Sequence, residues 1–185
     1  MKELSRENDI LKLFLLQPTK HWHFKEISKI IDISDNKLSK WLNKLKNDKL
    51  IIKIKKKGKM PHYIANYDSP HYKNTKKLFA LNVFYQSGLL DYLSSSEGIK
   101  SAIIFGSFSR SDWHNESDID IFVYGDDKNL NLGKFQKKLN HEIQLFSAKN
   151  SSDLKKFGPG LLKTIIKGIN VKGDIVEEVI KYASV

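Results

Sequence analysis

The chain has 185 residues, no cysteine, 40% hydrophobic residues and a formal net charge of +11. The missing thiols exclude disulfides and thiolate metal sites, and the apolar fraction suffices for one ordinary domain or two small ones. No apolar run approaches the ~18 residues of a membrane span, and Met1 to Ser5 lacks the basic and apolar regions of a signal peptide, so the reading is a soluble cytoplasmic protein with no membrane partner.

The charge is unevenly placed. Up to Asp68 there are 16 Lys and Arg against 8 Asp and Glu, a surplus of +8, and beyond it 16 against 13, a surplus of +3. Such a concentration favours a polyanion, usually nucleic acid. Arg6 and Arg110 are the two arginines, which makes the position of Arg110 more telling than that of any lysine.

In chain order, Ser5 is placed to cap a helix with apolar positions Ile10, Leu11, Phe14 and Leu15, stopped by Pro18. A second helix spans Phe24 to Ile31, with Ile27, Ile30 and Ile31 on one face. Asp32-Ile33-Ser34 forms a turn with Ser34 as N-cap. The third helix carries Leu38, Trp41, Leu42 and Leu45 at the spacing of one buried face, which makes Trp41 a core anchor. Leu50 to Ile54 and His62 to Ala65 form a hairpin turning at Lys57-Gly58.

Pro70 is able to start a helix, and Lys73 to Leu93 is helical with Leu78, Leu81, Phe84 and Tyr85 on one stripe, either connector packing or a dimer seam. Ser94 to Gly98 reads as a linker. Strand and helix then alternate: strands at Ser101 to Phe105, Asp118 to Tyr124 and Glu142 to Phe146, and helices at Leu130 to Leu139 and Leu161 to Lys167. A turn at Gly168 and a last helix from Ile175 to Tyr182 complete the pattern.

Two short helices, a tight turn and a basic hairpin over Arg6 to Asn66 resemble the winged helix-turn-helix family. With the apolar stripe of the third helix buried, its opposite face holds Asn36, Lys37, Ser39, Lys40, Asn43 and Lys44, polar and narrow enough for a major groove. The resemblance implies DNA contact there and phosphate contact by the wing lysines Lys55, Lys56, Lys57 and Lys59. Lysine contacts of this kind give salt-dependent, sequence-tolerant affinity. The plainer reading is a protein-protein module with a solvated lysine surface.

The third pattern carries chemistry. A strand runs into Gly106-Ser107-Phe108-Ser109-Arg110. A glycine at a strand end admits close approach of a ligand, and Ser107 and Arg110 add donors suited to phosphate. In Ser117-Asp118-Ile119-Asp120 the two carboxylates share a strand face, and Mg²⁺ is held by a few carboxylates together with substrate phosphates. The order Gly-Ser, Arg, Asp-x-Asp resembles the DNA polymerase β superfamily of nucleotidyltransferases, in its minimal nucleotidyltransferase branch. The resemblance implies that Gly106 and Ser107 bind the triphosphate and that Asp118 and Asp120 ligate Mg²⁺ or Mn²⁺. Arg110 stands where that branch often has arginine, in a nucleotide-binding or a purely structural role. His114 reads as a solvated loop residue, Asp126-Asp127 as a turn, and His21 with His23 as lacking a third ligand.

The pattern departs from the family at one place. The third carboxylate of active members falls at Ile143-Gln144-Leu145, where Gln144 is a poor Mg²⁺ ligand and no base. Glu142, two residues earlier, is the competing candidate catalytic acid.

The expected architecture is α/β in the α+β sense: a winged helix-turn-helix (1–68), a helical connector (69–97) and a nucleotidyltransferase domain (98–185) with a mixed sheet and flanking helices. The expected function is transfer of a nucleoside monophosphate from an NTP to a hydroxyl, with DNA as a partner and a homodimer or protein partner possible. The alternative is a DNA-binding regulator or antitoxin-like partner protein, weak or inactive as an enzyme, that uses the same fold to sense nucleotide or to bind protein.

Overall fold

The computed structural model describes residues 2–175. The architecture is mixed α+β with two separate sheets, and the chain divides into two compact units, Met1–Lys76 and Lys77–Val185.

The first unit contains α1 (Lys2–Leu16), β1 (Trp22–His23), α2 (Phe24–Ile31), α3 (Asp35–Asn47), β2 (Ile51–Ile54) and β3 (His62–Ala65). Helix α1 begins earlier than Ser5, which lies inside it. It packs on α2, α3 and β3 and buries Ile10, Phe14 and Leu15 completely. Helix α2 has the expected bounds, but its buried stripe is narrow: Ile27 and Ile31 are inside while Ile30 is 52% exposed. In α3 the packing is carried by Leu38, Leu42 and Leu45, and Trp41 is only half-buried, so it is not the core anchor that its spacing suggested.

That place belongs to Trp22. It sits in a two-residue strand too short to show any periodicity, pairs with Tyr63, is 2% exposed and meets Phe14 edge-on at 6.4 Å. The first sheet accordingly has the order β1-β3-β2. The turn between α2 and α3 is fastened by Ser28, whose hydroxyl donates to the Ile33 carbonyl at 2.9 Å. The Arg6 guanidinium donates to the Ile31 carbonyl, a cation at a helix C-terminus. The Tyr72 hydroxyl, wholly buried, donates to the Phe14 carbonyl at 2.8 Å.

Helix α4 (Pro70–Ser87) starts at Pro70 as expected. Gly88, with φ of 82°, ends it, so the expected single helix becomes α4 and α5 (Leu89–Ser95). On α4, Phe84 is buried while Leu78 and Tyr85 are largely exposed, so they do not share one packed stripe. In the second unit α5 leads into β4 (Ile99–Phe105), α6 (Gly106–Arg110), β5 (Ile119–Gly125), α7 (Gly133–Leu139), β6 (Ile143–Ala148), a 3₁₀ turn (Ser151–Lys156), α8 (Pro159–Ile165) and β7 (Ile169–Lys172). The sheet order is β6-β5-β4-β7, with β5 and β6 parallel and the other pairs antiparallel.

Strand β7 falls where the sequence suggested only a turn. Four residues between Gly168 and Gly173 are too few to stand out, and their pairing with β4 is a long-range contact. The helix expected from Ile175 to Tyr182 lies outside the described residues beyond Ile175.

Alternation on the central strands builds the core. Ile103, Phe105, Phe122 and Tyr124 project to one face and gather Ala148, Leu154, Leu162, Ile165 and Ile175, while Ala102, Ile104, Ile121 and Val123 are buried on the other. No helix among the described residues is long and apolar enough to cross a membrane.

Gly173 allows β7 to seat on β4. It has φ of +61°, and a Cβ there would lie 2.1 Å from the Lys100 carbonyl oxygen. Gly173→Ala is expected to cost about 1–3 kcal/mol. Gly160→Ala, with open space around the added carbon and a helical position, should be neutral or slightly stabilising. Urea unfolding of both variants checks the contrast; equal midpoints would mean that β7 is not held in this way.

Candidate functional site

Strands β4 and β5 pair with Phe105 opposite Asp120, which brings the residue after Phe105 against the Asp120 side chain. That residue is Gly106, with φ of +69°, and a Cβ there would lie 1.9 Å from Asp120 Oδ2 and 2.9 Å from Cγ. The carboxylate therefore occupies the space that any side chain at position 106 would take. Glycine is required twice over, by its backbone angle and by this contact.

Asp118 lies one residue before β5 rather than within it. It precedes Asp120 by two, and both are partly buried while Ile119 and Ile121 are wholly buried. The parallel pairing of β5 with β6 sets Gln144 opposite Asp120, and Gln144 Nε2 donates to Asp118 Oδ2 at 2.5 Å. Partial burial, and secondarily the charge of Asp118, push the Asp120 carboxyl above its ordinary pKa, with Arg110 acting in the opposite sense. The carboxylates of Asp118 and Asp120 repel one another, which favours a bound cation.

Glu142 stands just before β6, exposed, its carbonyl accepting from the Ile119 N–H at 2.8 Å. Among the described residues no group of three or more His, Cys, Asp or Glu side chains is placed to hold a metal. The donor set at hand is thus an acid pair with an amide beside it. It suits Mg²⁺ shared with phosphate oxygens, since that ion needs only one or two protein carboxylates.

Around the pair, Ser107 is partly buried in the first turn of α6, and Ser109 closes that turn by donating to the Gly106 carbonyl at 2.9 Å. Arg110 is exposed, with Nε donating to Asp112 Oδ2 at 3.0 Å. Phe108 anchors the turn from below. It stacks on Trp113 at 5.1 Å, which in turn stacks on Phe79 at 6.1 Å, and Phe84 packs on Phe108 at 5.3 Å. His141, which no local pattern marked, meets Phe108 edge-on and holds the Ser117 carbonyl at 2.7 Å through Nδ1. His114 is tied within its own loop, where Nδ1 accepts from the Glu116 N–H.

The other candidate residues lie in the first unit. On α3, Asn36, Lys37, Ser39, Lys40, Asn43 and Lys44 are all exposed, as are Lys55, Lys56, Lys57 and Lys59. Lys44 is ion-paired with Glu7 at 2.6 Å, and its ammonium and that of Lys40 lie 5.4 and 5.5 Å from the Trp41 ring centre. His21 and His23 acquire a third imidazole that sequence reading missed. His62, from β3, stacks on His21 at 4.2 Å and lies 6.0 Å from His23. It is far along the chain and becomes visible only through the pairing of His23 with His62.

Residues 87–175 match the family model described as Polymerase beta, Nucleotidyltransferase. Among solved structures, a mutant of the toxin-antitoxin MntA-HpeT is similar at 17% identity with a TM-score of 0.37, covering 58% of this chain and 84% of its own. A toxin-antitoxin with AMP-PNP is similar at 19% identity with a TM-score of 0.36 and the same coverage. No curated protein matches the chain.

The partly buried Asp120 carboxylate, with Asp118 beside it, has a cost without a cation. A carboxyl whose pKa is raised on folding destabilises the native state once pH exceeds its unfolded value, and this penalty fades as pH falls and the group protonates. In EDTA, Asp120→Asn should therefore raise the melting temperature at pH 7 and leave it nearly unchanged at pH 3. A lower melting temperature for the variant at pH 7 would show that burial and the charge of Asp118 do not penalise the ionised carboxyl.

Proposed function

We propose that the chain is a nucleotidyltransferase acting through residues 98–185, moving a nucleoside monophosphate from an NTP to a hydroxyl acceptor with departure of pyrophosphate. The observation that carries this is the seating of Asp120 on Gly106. It brings the Gly-Ser turn and Asp120 of the acid pair together, which supports a single site for a triphosphate with its counter-ion. The match of residues 87–175 to the nucleotidyltransferase family supports the same reading.

Gly106 and Ser107 offer a bare backbone and a hydroxyl to phosphate oxygens, and Arg110 a guanidinium able to leave Asp112 for a stronger anion. Asp118 and Asp120 would hold Mg²⁺ or Mn²⁺, which supplies charge neutralisation for the triphosphate and the leaving pyrophosphate. Gln144 holds Asp118 by its amide and cannot accept the acceptor's proton. Nucleotide binding is therefore expected to survive while transfer is slow, by roughly the 10²–10⁴-fold that a missing general base costs. With labelled NTP, Mg²⁺ and purified protein, Gln144→Asp should raise the transfer rate and Glu142→Gln should change it little. Loss of transfer in Glu142→Gln would make Glu142 the working acid. Fast transfer insensitive to Glu142→Gln would place the third acid elsewhere.

A second reading is favoured by the same amide together with the basic first unit: a winged helix-turn-helix (1–68) that binds DNA, joined by a connector (69–97) to a domain that senses nucleotide. The exposed polar face of α3 and the lysines between β2 and β3 support it. Duplex DNA binding by the full chain should fall steeply with salt. Alanine at Lys55, Lys56, Lys57 and Lys59 should weaken it alike on all sequences and flatten the salt slope. No binding at low salt would end the DNA reading.

A further inference from the structure

A concavity of about 230 Å³ opens in the first unit, lined by His21, His23, His62, Lys56, Lys59 and Met60. Its imidazoles come from three places in the chain: the residue before β1, the end of β1 and the start of β3. His21 and His62 lie face to face, with 20° between their planes. Metal ligation uses lone pairs in the ring plane, so stacked rings direct theirs side by side rather than at one point between them. That geometry disfavours a shared metal ion, in keeping with the absence of a metal-holding group among the described residues. It suits a different ligand. Rings able to take up a proton, with two ammoniums around one hollow, can form a positive wall, and a tetrahedral oxyanion is the chemistry that such a wall recognises.

We propose that this concavity is a binding site for a phosphate-type oxyanion, whose entry is coupled to protonation of the histidines. His62 is the least exposed of the three. Burial, and then the neighbouring His21, His23 and Lys56, hold its pKa below the ordinary imidazole range, so the free pocket favours a neutral ring there. An anion reverses the balance, because it gains from every added proton. By linkage, binding takes up protons and tightens as pH falls through the histidine range. The other charges nearby are Lys20 and Glu26, which pair with each other at 2.9 Å; Glu26 also accepts weakly from the His23 backbone N–H at 3.5 Å. His23 Nδ1 lies 3.2 Å from the Pro61 carbonyl oxygen, which leaves its Nε2 for the ligand. Because Lys56 and Lys59 also belong to the proposed DNA-binding wing, the oxyanion is either free in solution or a phosphodiester of nucleic acid.

The test uses the full chain and the histidine ring resonances in NMR. Sulfate serves as an oxyanion probe of constant charge, with chloride at matched ionic strength as control, and a short duplex DNA as second probe. At pH 5.8, sulfate or DNA should shift the resonances of His21, His23 and His62 together. Affinity should fall by about tenfold or more at pH 7.8, as release of one or more protons requires. His21→Gln with His62→Gln should abolish the pH-dependent part, and the exposed His23→Gln provides a second variant if the double one fails to fold. A response to sulfate without DNA binding would keep the pocket, with a free oxyanion as its ligand, and discard the DNA reading. A response to DNA alone would make the phosphodiester the ligand. Resonances that neither probe moves, equal affinity at both pH values, or retention in the histidine variants would each overturn the proposal.

Discussion

The second unit depends on a contact that only a missing side chain permits. Asp120 rests against the α-carbon of Gly106 because β4 and β5 pair in the one register that sets Phe105 beside it. A one-residue slip would turn Asp120 towards the side where Ile119 and Ile121 are now buried, and would bury a carboxylate among apolar groups. The hydrophobic alternation therefore fixes where the acid stands, and the glycine makes room for it. The aromatic column of Phe108, Trp113 and Phe79 holds the same turn from beneath, so the site is floored by side chains with few rotamers rather than by flexible loop.

The first unit carries much of the chain's charge at its surface. Its lysines project from α3 and from the turn between β2 and β3 over a core of Leu38, Leu42, Leu45 and the residues of α1. Not every cation there is free. Lys44 is fastened to Glu7, and Lys20 spans Glu26 and the Trp22 ring. Charge counted from composition thus overstates the number of lysines available to a polyanion.

Much of this was legible in the sequence wherever the signal was local. Helix α2 and strand β3 came out with their observed bounds, and the Gly-Ser turn and Asp-x-Asp fell at the strand ends because strand alternation and glycine punctuation act over a few residues. What stayed hidden depends on distant partners. Strand β1 is two residues long and exists through Tyr63 and His62. Strand β7 exists through β4. Trp41 satisfied the helical spacing, yet Trp22 took the buried place because β3 and Phe14 were there to receive it. The neighbours of Asp118 were half visible: the apolar flanks of Gln144 marked the strand, but that the amide would reach Asp118 followed only from the parallel pairing of β5 with β6.

That amide has an evolutionary consequence. Glutamine and glutamate codons differ by a single base, so this site stands one point mutation from a third carboxylate. The step would not be neutral for the folded protein. It would exchange a hydrogen bond to Asp118 for a third negative charge beside two others, and a bound cation or protonation would offset the repulsion. A lineage taking that step would make its stability more sensitive to divalent ions, and one reversing it would lose that sensitivity. Gln144 is thus a point where a single base change would trade a hydrogen bond within the fold for a charge that attracts a cation.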